Sequence, residues 1–176
     1  MKNLRAALIT LSICFLSVTV CRAQIFTADK TIRGNSAIFK TISISKDSFV
    51  VVNTENELFN QTAKLSKYPA SLFKKKPAYV MYQTFTAVFS TNRLRQLNSE
   101  NALVVNYYVN SKGEVLEVTF TLRNISQLTA VELEKLENEI ERNISFIIPK
   151  NKAKGENLFI ITDAVQYRRI LDRTIY

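Results

Sequence analysis

The stretch from Leu103 to Arg123 constrains the fold more than any other, because it reads as two strands and a turn whose register is already set. Leu103 to Val109 is apolar and rich in tyrosine. Asn110-Ser111-Lys112-Gly113 is a turn in which Gly113 supplies a positive φ, and Glu114 to Arg123 returns. In the return strand Leu116, Val118, Phe120 and Leu122 alternate with Glu117, Thr119, Thr121 and Arg123, which predicts one face in a core and the other in water.

A helix follows, and three local signals agree on its start. Thr129 and Glu132 form a capping box, and Leu128 ahead of the cap is placed to staple onto Leu133. Leu133, Leu136 and Ile140 make its apolar stripe, and Pro149 marks the exit. After the basic loop Lys150 to Gly155, Leu158 to Tyr167 reads as a final strand.

The first half is less sharply punctuated. Ile38, Ile42 and Ile44 share one face of an alternating segment that turns at Ser45-Lys46-Asp47 into Phe49-Val50-Val51-Val52, a hairpin pattern. Thr54 to Glu57 offers a second capping box ahead of a helix with Leu58, Phe59, Thr62 and Leu65 on one face, stopped at Tyr68-Pro69. Ser71 to Pro77 reads as a loop and the aromatic, threonine-rich Tyr79 to Phe89 as a strand; Ser90 or Thr91 then caps a short helix through Leu97.

Residues 1–23 read as a secretory signal. Lys2 and Arg5 form a positive start, Ala6 to Val20 an apolar middle, and Cys21-Arg22-Ala23 a cleavage site before Gln24. Ala6 to Val20 is 15 residues, short of the roughly 20 a spanning helix needs, so the mature chain carries no transmembrane helix. Acylation at Cys21 is the alternative, giving a lipid-anchored protein, although Val20 is a poor residue before such a site. The expected location is therefore periplasmic or secreted, and residues 24–176 form a single α+β domain, with 24–77 as its N-terminal hairpin and helix and 78–176 as its second portion.

Composition narrows the chemistry. The chain has no histidine, and both cysteines, Cys14 and Cys21, lie in the leader, so a mature chain has no disulfide to form. A Ser-His-Asp or Cys-His nucleophile and an imidazole zinc site are thereby excluded, and we expect no catalytic, metal or cofactor site. Glycines are too few for a phosphate loop, and no nucleic-acid signature appears. The carboxylate alternative is a carbohydrate-active or cell-wall enzyme built on Asp163 and Glu117, Asp163 being the one acid inside a strongly apolar strand. The five glutamates between Glu132 and Glu141 read as a solvated surface.

Three of the nine net positive charges lie in the leader, at Lys2, Arg5 and Arg22, which leaves +6 beyond it. The positive groups concentrate at Lys64 with Lys67, at Lys74-Lys75-Lys76, at Lys150, Lys152 and Lys154, and at Arg168, Arg169 and Arg173. Such a surface favours acidic partners.

The segments VNYYVNSKGEVLEVTF, LTAVELEKLENEIERNISFIIP and NLFIITDAVQY, in this order, resemble the TonB C-terminal domain and small TonB-like exported proteins of Bacteroides-type bacteria, over residues 90–167. The resemblance implies an antiparallel sheet with helices packed on one face, preceded here by the extra hairpin and helix. It also implies binding through a sheet edge by strand addition. With only Pro69, Pro77 and Pro149 the chain has no proline-rich spacer, so the energy-transducing role does not carry over.

The functional expectation is an exported, non-catalytic protein-interaction module. Its binding residues would be Phe159, Ile161 and Asp163 on an edge strand, flanked by Lys150, Lys152, Lys154, Arg168 and Arg169. An envelope protein or peptide, a second copy of the chain, or an anionic glycan are the partners this surface suggests. Alternatively, the N-terminal hairpin covers that edge and Asp163 keeps it solitary.

Overall fold

The computed structural model describes residues 26–27, 29–76, 79–149 and 156–173. Its centre is the pair β6 (Ala102–Asn110) and β7 (Val115–Arg123), joined by the expected turn. Gly113 has φ 89°, and a Cβ there would run into the Phe146 backbone carbonyl, so both conformation and space demand glycine.

The register slips at Tyr108/Val109, where Val109 pairs with Val115. This bulge turns Leu116 outward, 46% exposed, and puts Val115 into the core. The alternation read from sequence therefore holds from Val118 onward but not at Leu116.

Around this pair the sheet grows to seven strands, in the order β1 (Thr31–Arg33), β2 (Ile38–Ser45), β3 (Ser48–Asn53), β7, β6, β9 (Leu158–Gln166) and β4 (Lys67–Pro69). All neighbours are antiparallel except β4, which runs parallel to β9. The N-terminal hairpin thus extends the β7 side rather than covering β9; β9 is nevertheless not the edge strand expected, because β4 takes its outer side over Ile160–Thr162. Its core face is Phe39 and Thr41, both fully buried, whereas Ile38, Ile42 and Ile44 point to the far face.

Four helices cover the other face: α1 (Val80–Val88), α2 (Thr91–Leu97), α3 (Ala130–Asn143) and α4 (Tyr167–Leu171). Helix α3 starts where its signals placed it, with the Thr129 hydroxyl accepting from the Glu132 amide and the Glu132 side chain returning to the Thr129 amide. Leu133, Leu136 and Ile140 are fully buried, each contributing on the order of 1.5–3 kcal/mol. Glu134 and Glu137 are buried too, at 6% and 4% exposure, so the glutamate run is not uniformly solvated.

Residues 80–88 form a helix, not the strand their composition suggests. Val80, Met81, Thr84 and Phe85 are its buried positions, a helical spacing that packing against α3 rewards over strand propensity. The segment 71–77, read as a loop, contains β5 (Lys74–Lys76), which pairs antiparallel with β8 (Ser145–Ile147) in a separate two-stranded ribbon.

The helix expected after Thr54 is a 3-10 segment, Leu58–Lys64, with no buried residue and no side-chain cap of its own. Glu117 supplies the cap instead, accepting from the amides of Glu57 at 2.8 Å and Leu58 at 3.0 Å. Asn56 donates to the Val118 carbonyl at 2.8 Å, and the hydroxyls of Thr62 and Tyr108 lie 2.8 Å apart. The segment therefore sits on the far face of the sheet, where Val52, Tyr108, Thr119 and Ile160 are buried outside the main core cluster. The Glu117–Thr119 side of β7 is consequently covered rather than wet.

Candidate functional site

Strand β9 is held on one side by β6 along its whole length, and on the other only by the three residues of β4. The Ile160 amide donates to the Ser66 carbonyl at 2.9 Å, so by strand alternation the amides of Thr162, Ala164 and Gln166 face the same outer lane. Beyond Thr162, which pairs with Pro69, no strand among the described residues occupies that lane.

Side by side with this open stretch lies a cavity of about 640 Å³, lined by Ala70, Ser71, Phe73, Lys74, Lys75, Asp163 and Arg169. Its apolar wall comes from the turn Ala70–Leu72 and from Phe73, whose ring stacks on Phe159 at 5.9 Å, with Tyr68 edge-on to both. Its polar wall comes from the ribbon and from β9. Lys75 Nζ lies 2.8 Å from Asp163 Oδ2, both side chains about one-fifth exposed, and 5.9 Å above the Phe146 ring.

Alternation places Asp163 on the helix-facing side of β9, after Phe159 and Ile161 and before Val165. Burial, and then the nearby Asp163 charge, push the Tyr107 phenol well above its ordinary pKa. That phenol donates to Met81 Sδ at 3.7 Å and is a core group.

The sequence-derived residues separate cleanly. Asp163 and Arg169 meet at the cavity. Phe159 and Ile161 are fully buried core residues, so their side chains cannot contact a partner. Arg168 is exposed and pairs with Asp172 at 3.4 Å. Lys150, Lys152 and Lys154, like the leader, lie outside the described residues. Lys74 and Lys75 are visible in sequence only as part of a basic run, since a three-residue strand whose partners lie 69 to 73 positions away leaves no local periodicity.

The carboxylate pair does not assemble. Asp163 faces the helices and is bound to Lys75, whereas Glu117 lies on the far face and is bound to two backbone amides. Two acids on opposite faces of a sheet cannot serve one bond as acid and base.

A second polar cluster sits between α3 and the N-terminal hairpin, around a cavity of about 160 Å³ lined by residues including Ser36, Asn53, Glu55, Glu134 and Glu137. Glu137 Oε2 accepts from Asn53 Nδ2 at 3.0 Å, while Oε1 is buried with no partner. Burial, relieved by Asn53 and reinforced by Glu141, raises its pKa to about 7. For Glu134 burial pulls upward as well, but the Ser36 hydroxyl and the amides of Ser36 and Asn35 outweigh it and hold the pKa below the ordinary value. Among the described residues no group of three or more His, Cys, Asp or Glu is arranged to hold a metal, and no helix is long and apolar enough to cross a membrane.

Among solved structures, the chain is similar to a DUF5043 family protein from Bacteroides uniformis, with a TM-score of 0.60 and 15% identity over 80% of this chain and 85% of that one. At that identity the likeness shows the fold alone. No family model matches the chain, and no curated protein matches it.

Proposed function

We propose that the chain is an exported, non-catalytic protein-interaction module of the bacterial envelope, which takes up a partner segment as an added strand beside residues 163–166 of β9. The observation that carries this reading is the outer lane of β9, which β4 fills only as far as Thr162. Backbone groups there are presented to a visiting strand in the way that strand-adding domains present theirs. The TonB-like order of residues 90–167 supports the same reading, and the leader of residues 1–23 supports export.

Ala164→Pro tests it. Proline at that position removes an amide that faces the lane and not β6, so the sheet keeps its bonds. The same change at Phe159 or Ile161 would strike core residues bonded toward β6. With circular dichroism unchanged, loss of envelope partners from a crosslinking pull-down supports strand addition, and full retention overturns it. Intact mass of the protein from the native envelope tests the export half: a chain starting at Gln24 supports it, and an uncleaved Met1 overturns it.

A further inference from the structure

The 3-10 segment on the far face is a cover with few fastenings. None of its residues is buried, so apolar packing does little to hold it in place. What holds it is polar and sits mostly at its start. Glu117 accepts from the amides of Glu57 and Leu58, Asn56 donates to the Val118 carbonyl, and farther on Thr62 meets the Tyr108 hydroxyl.

The turn that delivers the chain to those fastenings is set from α3. Asn53, the last residue of β3, accepts from the Glu55 amide at 3.2 Å with its side-chain oxygen and from the Asn56 amide at 3.0 Å with its carbonyl, and its Nδ2 donates to Glu137 at 3.0 Å. Glu137 is buried, its other oxygen has no partner, and the cavity of about 160 Å³ lies against it. A carboxyl sealed in this way is tolerated while neutral, whereas a charge on it calls for water that the closed turn excludes. The groups around it sharpen that demand. Glu134 and Glu141 act on it from α3, Glu55 lines the same cavity from the turn, and the β1–β2 loop brings Ser36, uncharged and bound to Glu134; the side chains of Asn53 and Asn56 favour its charged form. Glu141 in turn feels Glu117, the cap of the 3-10 segment, so like charge gathers at both anchors of the cover.

We propose that residues 54–64 form a pH-gated strap, closed over the far face while Glu137 is protonated and released from it once that carboxylate ionises. Release admits water to Glu137 and bares Tyr108 and Ile160, which the closed strap keeps buried. The test is hydrogen exchange of the purified chain, followed amide by amide by NMR from pH 5 to pH 8, a range that spans the titration of Glu137, with rates corrected for the intrinsic effect of pH. We expect the amides of Asn56, Glu57 and Leu58 to lose protection by about tenfold or more across that range, because the open strap binds fewer protons than the closed one. They should exchange through a local opening that dilute urea leaves unchanged, whereas the core amides of β6 exchange through the urea-sensitive global unfolding. Glu137→Gln keeps the acceptor for Asn53 and cannot ionise, so it should hold the strap closed at both ends of the range.

Protection at Glu57 and Leu58 that is absent at pH 5, or that does not change with pH, overturns the gate. Exchange of these amides only through the urea-sensitive unfolding of the whole chain overturns a local strap. A pH response that Glu137→Gln leaves intact overturns Glu137 as the latch. Glu141→Gln, at an exposed position, removes one of the facing charges and should move release to higher pH; an unmoved midpoint overturns the electrostatic argument even where Glu137→Gln fails to fold.

Discussion

Glu137 is the residue whose environment departs furthest from what its position in a charged run suggests. Its pKa is raised from 4.5 to about 7 by burial first, so the folded protein holds its proton more tightly than the unfolded chain does. Stability from this group is complete below pH 4.5 and is lost as pH rises through about 7, by at most about 3.5 kcal/mol at roughly 1.4 kcal/mol per unit. Glu141 shifts in the same direction, through burial and the Glu117 charge, whereas Glu134 is depressed and withdraws its contribution as the solution becomes acid. Thermal unfolding should therefore be highest near pH 5 and fall toward pH 8. Glu137→Gln keeps the shape and the acceptor for Asn53 but cannot ionise, so it should flatten that decline. A melting temperature that rises from pH 5 to pH 8 in the unmodified protein would show that Glu137 is not held neutral.

Single elements were legible where the information is local. Thr129→Ala removes a cap that sequence and structure agree on, and urea unfolding should report a loss of about 1 kcal/mol. Gly113→Ala should cost more than about 1 kcal/mol, because it adds strain at positive φ to a collision with β8. Both devices are readable because their partners lie within a few residues. Helix α1 is masked for the opposite reason: its tyrosine, threonine, valine and phenylalanine favour strands, and only the spacing of Val80, Thr84 and Phe85 hints at the helix. The cap of the 3-10 segment was invisible, since Glu117 lies 59 residues away from Leu58 in the chain. The site divides along the same line. Asp163 and β9 could be picked from a hydrophobic run, but that Lys75 would pair with Asp163 depends on β5 meeting β8, which no short-range pattern encodes.

At the scale of the molecule, the sheet is guarded at both ends by strands of three residues, β1 and β4, and short edge strands discourage indiscriminate pairing. What remains open is residues 163–166, too little backbone to hold two copies together when a specific interface buries on the order of 1,200–2,000 Å². The far face offers a row of Ile42, Val50, Thr121, Val104 and Ala164 across five strands, of which only Ala164 is exposed and the others are half-buried. Charge opposes self-association as well: beyond the leader the chain carries +6, nine less the three at Lys2, Arg5 and Arg22. We therefore expect a monomer in sedimentation velocity at micromolar concentration, at low and at physiological salt. A dimer that tightens as salt rises would mean that charge was holding two apolar faces apart. A dimer that Ala164→Pro dissolves would mean instead that a second copy, and not a foreign strand, occupies the lane beside β9.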